Sequence, residues 1–159
     1  MTTWLLARTA RHEAAAEPRG ISQVRRQARK TMADWGLGEM ADAVESVTSE
    51  LLTNALLYGG IEILALELTL DECWISVSVE DANPTPPYPC GIDEQAEGGR
   101  GVYLTAALAD AWGFRATATG KSVFAEFLTR PALGGVGAMS ADAATDAPAA
   151  HDTERLIHV

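Results

Sequence analysis

Two stretches of the chain repeat their apolar residues every three or four positions, which is the period of an amphipathic helix. The first is "ISQVRRQARKTMADW", followed by the stop signals Gly36 and Gly38. The second runs from about Met40 to Tyr58 and ends at two glycines suited to a C-terminal cap. A third helix is predicted from about Val102 to Trp112, after the turn "GGRG".

Other stretches alternate apolar and polar residues, as half-buried strands do. "IEILALELTL" and "CWISVSVED" predict a hairpin, with Ile75, Val77 and Val79 inward on its second strand. "FRATAT" and "SVFAEFLT" predict a second hairpin around Gly120, and "TWLLARTA" predicts a first strand over residues 3–10. The proline-rich "ANPTPPYPCGIDEQAEGG" has no such period and is a predicted loop.

This order of elements predicts an α+β fold, a two-layer sandwich in which helices cover one face of a mainly antiparallel sheet. Residues 1–130 are expected to form that domain. Residues 131–159 are mostly small or polar, with little apolar area to bury, and they are predicted to be a flexible tail.

Charge and hydropathy exclude several classes of partner. The net charge of -10 argues against direct binding of nucleic acid, since phosphate contacts need basic surface. No apolar run reaches the ~20 residues that span a membrane, and the N-terminal segment carries charges where a signal peptide needs an apolar centre. A cytoplasmic protein without membrane contact is therefore expected.

Positive charge is concentrated near the N-terminus, where seven of the twelve Lys and Arg lie within residues 1–30. Arg25, Arg26, Arg29 and Lys30 fall on the outer surface of the first predicted helix. This surface is either a solvated face or a docking face for an acidic partner, and the pattern alone leaves both open.

The second predicted helix contains Glu50 and Asn54, four residues apart in "SELLTNALLYGG", at the rim of its apolar stripe. An amide oxygen can coordinate a hard cation, and a carboxylate can accept a proton. The pair could share one ligand, or it could be a surface Glu beside a hydrogen-bonded Asn.

Asp81 ends a predicted strand with the same parity as Val77 and Val79, so it is expected to point inward. An inward carboxylate needs hydrogen-bond donors, and the exocyclic amino group of a purine is a suitable one. The alternative is an Asx cap that starts the turn "DANP".

Glycines before the third helix allow close backbone approach, and a helix N-terminus with Arg100 beside it favours phosphate. In contrast, "TGKS" is not a P-loop, because Arg115 stands where that pattern needs glycine and the following residues alternate as a strand.

Taken together, "ELLTNALLYGG", "VEDANPTPP", "GGRGVYLTAALADAWG" and "GKSVFAEF" resemble the GHKL ATPases, which have the Bergerat ATP-binding fold. The compact chain looks most like the anti-sigma-factor serine/threonine kinases of that superfamily. The resemblance implies ATP and Mg²⁺ as cofactors. It implies a Mg²⁺ ligand in Asn54, a general base in Glu50, an adenine contact in Asp81, phosphate contacts in Gly98, Gly99, Arg100, Gly101 and Val102, and a second contact near the adenine in Ser122.

The resemblance also implies a regulatory kinase that binds a sigma factor and phosphorylates an antagonist protein, with a homodimer possible. The chain departs from the family where "ANPTPP" replaces the glycines that follow the adenine-binding Asp, and where Tyr58 replaces histidine. These departures favour an alternative, a catalytically weak or inactive ATP-dependent protein-binding switch. A histidine-kinase fragment is disfavoured, because no helical hairpin with a phosphoacceptor histidine precedes the motifs.

Overall fold

A computed structural model describes residues 7–87, residue 105 and residues 107–129 of the chain. In this part of the chain the strands are β1 (Arg8–Ala15), β2 (Ile63–Leu70), β3 (Trp74–Asp81), β4 (Ala111–Ala116) and β5 (Lys121–Leu128). The helices are α1 (Pro18–Asp34) and α2 (Ala41–Tyr58), joined through a short 3₁₀ turn at Gly38–Met40.

The five strands form one antiparallel sheet in the order β1-β2-β3-β5-β4. One face of the sheet packs against α1 and α2, and the core lies between these two layers. Its largest fully buried side chains include Met32 and Val24 on α1, Leu52 and Val47 on α2, and Leu64, Leu66, Leu68, Ile75 and Val77 on the sheet. The predicted α+β sandwich is therefore confirmed.

The register shows how alternation places the predicted inward residues. Leu68 pairs with Val77, and Val77 pairs with Ala125, so these three residues share the helix-facing side of the sheet. All three are 0% exposed. Burying a Val or Leu side chain stabilises a fold by about 1.5–3 kcal/mol, so this row of contacts is a main source of stability.

The first strand is displaced from its prediction. Residues 3–10 were expected, whereas β1 covers Arg8–Ala15, and residues 1–6 lie outside the described part. The helix-facing side of β1 carries Ala10, His12 and Ala14, and its other side carries charged and small residues. Small residues close to α1 give little hydrophobic signal, so the alternation that marks a strand is weak after residue 10.

The boundary before β4 is also different from the prediction. The third helix was expected to reach Trp112, but Ala111 and Trp112 already belong to β4. Residues 105, 107 and 108 are helical, and the Ala109 N–H donates to the Thr105 carbonyl at 2.9 Å. Trp112 is 5% exposed because it packs into the core from the sheet.

Ion pairs join the two helices. Arg25 Nη2 lies 2.7 Å from Glu45 Oε1, Arg29 Nη1 lies 2.9 Å from Asp42 Oδ1, and Arg29 also pairs with Glu45. Arg25 and, less strongly, Arg29 lower the pKa of the Glu45 carboxyl. Two of the four basic residues of this face, Arg25 and Arg29, are thus paired with α2, a role that neither of the two sequence interpretations included.

No helix in the described ranges combines the length and apolar character needed to cross a membrane.

Candidate functional site

The candidate site is built around Asp81, the last residue of β3. As its parity predicted, Asp81 points to the helix-covered side, and it is 8% exposed. Its strand partner is Lys121, the first residue of β5. A charged group is rarely buried unless it is paired, and the structure supplies the partner from the neighbouring strand.

Lys121 and Asp81 form a buried ion pair. Lys121 Nζ lies 3.0 Å from Oδ1 and 2.9 Å from Oδ2 of Asp81, and the two side chains are 7% and 6% exposed. Sequence reasoning missed Lys121, because lysine is usually exposed and the resemblance assigned the contact near the adenine to the next residue, Ser122. The structure confirms that the "TGKS" motif opens a strand rather than a helix.

Asn83 fixes the chain where it leaves β3, and all four of its polar groups are hydrogen-bonded. Its N–H donates to Asp81 Oδ1 at 2.8 Å, and its Nδ2 donates to the Tyr58 carbonyl at 2.9 Å. Its Oδ1 accepts from the Thr85 N–H, and its carbonyl accepts from Lys121 Nζ, both at 2.9 Å. The Asx turn that was the alternative role of Asp81 is therefore present.

Two glycines let the backbone approach Asp81. A Cβ added at Gly59 would lie 2.6 Å from Asp81 Cβ, and one added at Gly120 would lie 2.0 Å from the Asp81 carbonyl oxygen. The Ala82 N–H also donates to the Gly59 carbonyl at 2.9 Å. The C-terminal end of α2 is therefore fastened directly to the end of β3.

Glu50 and Asn54 lie on α2, N-terminal to that fastened end, and both are half-buried. At about 1.5 Å of rise per residue, Asn54 lies roughly 6 Å and Glu50 roughly 12 Å along the helix axis from Tyr58. Neither side chain has a hydrogen-bond partner among the residues that the structure describes. A ligand that extends along α2 from Asp81 would therefore pass Asn54 and then Glu50.

The described residues contain no group of three or more His, Cys, Asp or Glu side chains that could hold a metal ion. Asn54 offers one amide oxygen, which suits Mg²⁺, because this ion is usually bound through one or two protein ligands together with substrate phosphates. The residues present thus fit Mg²⁺ carried on a phosphate chain.

Other predicted site residues are placed differently or lie beyond the description. Ser122 pairs with Glu80 and Arg115, and since neighbouring strand residues face opposite sides, it lies on the other face of the sheet from Asp81. Its contact near adenine stays a prediction, whereas Lys121 is the β5 side chain beside Asp81. The predicted phosphate contacts lie outside the described residues: Gly98, Gly99, Arg100, Gly101 and Val102.

Comparison with known proteins agrees with this geometry. No curated protein matches the chain. Residues 14–127, well over half of the sequence, match the model of the histidine kinase-like ATPase domain, and this range contains α1, α2, β2, β3, β4 and all but the last residue of β5, together with the end of β1. The chain therefore belongs to the family of histidine kinase-like ATPase domains, within the GHKL-type superfamily that its motifs resemble.

Proposed function

We propose that the protein is an ATP-binding regulator that transfers the terminal phosphoryl group to a serine or threonine hydroxyl of a partner protein. One observation carries the proposal, namely that Asp81 of β3 lies at the C-terminal end of α2 and that Asn54 and then Glu50 follow along that helix. Asp81, at the fastened end, would bind the base, and the amide of Asn54, about one turn away, would bind the metal. The carboxylate of Glu50 follows one turn further. This order matches a ligand with a base at one end and phosphates at the other.

In the proposed reaction, Asn54 would hold Mg²⁺ through its amide oxygen, and Asp81 would accept a hydrogen bond from the adenine amino group. ATP would supply the phosphoryl group, and the metal would supply positive charge that neutralises the phosphates. Glu50 accepts the proton of the attacking hydroxyl as the phosphoryl group passes to the hydroxyl oxygen and ADP leaves. Catalysis then depends mainly on positioning, since a proton acceptor within hydrogen-bond reach is all the side-chain chemistry required.

The resemblance to anti-sigma-factor kinases supports a specific pair of partners. The protein is proposed to bind a sigma factor in one state and to phosphorylate an antagonist protein in another, in the cytoplasm and with Mg²⁺. The large negative charge supports a protein partner over a nucleic acid.

Calorimetry with ATP and Mg²⁺ tests the binding site. The wild type is expected to bind, and Asn54→Ala and Asp81→Asn are expected to bind at least roughly tenfold more weakly, because each loses a contact to a charged group or ion. Asp34→Asn is the matched control, since Asp34 forms an exposed pair with Lys30 on α1. If the wild type does not bind ATP, the proposed function is wrong.

Transfer from ATP labelled in its terminal phosphate tests catalysis. With sigma-factor antagonist proteins as acceptors, Glu50→Gln is expected to reduce transfer by about 10²–10⁴-fold, the usual contribution of a general base, while ATP affinity stays near that of the wild type. Glu39→Gln, at an exposed position, should transfer normally. Full transfer by Glu50→Gln would show that another group accepts the proton.

A second candidate function, a switch without phosphotransfer, is supported by Asn83. Its four hydrogen bonds hold the chain after β3 in one direction, and this rigidity suits a site that binds nucleotide without the opening and closing that turnover requires. Tight ATP binding that changes partner affinity, with no labelled product on any partner, distinguishes this function from the kinase.

A further inference from the structure

The geometry of the buried ion pair between Asp81 and Lys121 affects which nucleotide bases the proposed site can bind. Lys121 Nζ is nearly equidistant from the two carboxylate oxygens of Asp81, at 3.0 and 2.9 Å. It therefore occupies the position between the oxygens, which is where a two-donor partner binds a carboxylate. Any ligand must approach Asp81 from outside that position.

The hydrogen-bond capacity of the Asp81 carboxylate further limits the directions from which a ligand can bind it. A carboxylate offers about two acceptor directions on each oxygen. Oδ1 already accepts from the Asn83 N–H and from Lys121 Nζ. Within the described residues, Oδ2 is approached by Lys121 alone. One acceptor direction, on Oδ2, is left for a ligand.

A further hydrogen bond and burial keep the Lys121 ammonium in this position. Its ammonium also donates to the Asn83 carbonyl at 2.9 Å, and the side chain is 7% exposed. If the ammonium moved aside, a buried charge would lose its partner, which is strongly destabilising. The single free acceptor direction is therefore a fixed property of the site.

We propose that Lys121 determines the base selectivity of the nucleotide site, by limiting Asp81 to one N–H donor. The exocyclic amino group of adenine needs one acceptor. Guanine presents two neighbouring donors, N1–H and the 2-amino group, which fit both oxygens of a free carboxylate but not one already occupied between its oxygens. This inference rests on the proposed ATP site and identifies the residue that distinguishes its substrate from GTP.

Inosine triphosphate separates the two donors, because its base keeps N1–H and lacks the 2-amino group. In the wild type, GTP and inosine triphosphate are expected to compete with ATP equally, within about threefold, because only one of the two guanine donors finds an acceptor. Lys121→Met opens the position between the oxygens, so GTP is expected to gain at least roughly tenfold over inosine triphosphate, as one hydrogen bond to a charged group provides. Lys30→Met, which removes an exposed lysine from α1, should leave the ratio unchanged.

Lys121→Arg tests the same inference with the charge retained, and it covers the case in which Lys121→Met does not fold. A guanidinium still fills the position between the oxygens, so the GTP to inosine triphosphate ratio should stay near one. A tenfold preference for GTP in the wild type, or an unchanged ratio in folded Lys121→Met, would overturn the inference while the ATP site stands. Absence of ATP binding by the wild type would instead overturn the proposed function, and the inference with it.

Discussion

At the scale of single residues, the site depends on two positions that carry no side chain. Gly59 and Gly120 lie on either side of Asp81, and each leaves space that a methyl group would fill. Gly59 has a φ of -83°, which any residue adopts, so its requirement is for space rather than for backbone freedom. The carboxylate keeps its position because the helix end and the β5 turn can both approach it.

Alanine at either glycine is therefore expected to destabilise the fold. In Gly59→Ala the new Cβ would lie 2.4 Å from the Ala55 carbonyl oxygen, and in Gly120→Ala it would lie 2.7 Å from Ala82 backbone atoms. Overpacking of this kind costs typically 1–3 kcal/mol of unfolding free energy, measurable by chemical denaturation. Gly38→Ala is the control, since nothing lies within 4 Å of its added Cβ. Equal stability of all three variants would contradict this account.

At the scale of elements, β1 is held against α1 through a polar contact. His12 Nε2 lies 2.9 Å from Thr31 Oγ1, and the imidazole is half-buried opposite Leu66 of β2. Burial lowers the pKa of His12 below its ordinary value of 6.5. The neutral imidazole is thus the form that fits between strand and helix.

The sign of the pH effect follows from that shift. The unfolded chain takes up a proton at His12 near pH 6.5, before the folded protein does, so stability is complete above this pH and falls as the pH drops towards the lower folded pKa. Unfolding free energy should decrease between pH 7 and 5, by at most about 1.4 kcal/mol per pH unit, the limit for one proton.

A chain with His151→Gln and His158→Gln isolates this effect, because the sequence has three histidines. Adding His12→Gln should then flatten the unfolding free energy over the same pH range. An equal slope with and without His12 would assign the pH dependence to other groups. Glu45, whose pKa is also lowered, contributes only below its ordinary value of 4.5 and so acts outside this window.

At the scale of the whole molecule, a ligand that contacts both β3 and α2 is expected to stabilise the entire fold. ATP with Mg²⁺ at a hundred times its dissociation constant should add about 2.7 kcal/mol to the unfolding free energy. Asn54→Ala should lose most of this gain at the same concentrations. Gln23→Ala, which removes an exposed amide from α1, should keep it. Melting curves with and without nucleotide measure both.

The sequence predicted most of the fold because most elements have one buried face with a clear period. Leu64, Leu66 and Leu68 mark β2 as a strand, and Val24, Ala28 and Met32 mark α1 as a helix. β1 was displaced because its inward side chains are small or polar. The end of the third helix was wrong because an apolar run such as Ala111–Trp112 suits both helix and strand until tertiary contacts decide.

The candidate site was predictable only where parity or spacing applied. Strand parity placed Asp81 inward, and the four-residue spacing placed Glu50 beside Asn54 on α2. Nothing local indicated that Lys121 would be buried, since its partner is forty residues away in sequence. The same pairing register puts Ser122 on the opposite face, which depends on how β3 and β5 align and not on the motif itself.

The ion pairs between α1 and α2 also determine the electrostatic potential that a distant macromolecule experiences. Arg25 and Arg29 lie against Glu45 and Asp42, so their fields largely cancel beyond a Debye length of about 8 Å at physiological ionic strength. An approaching macromolecule therefore meets much less positive potential than the N-terminal cluster of arginines suggests. The long-range potential is then set mainly by the acidic residues in the rest of the chain. It accelerates encounters with basic surfaces and slows those with polyanions.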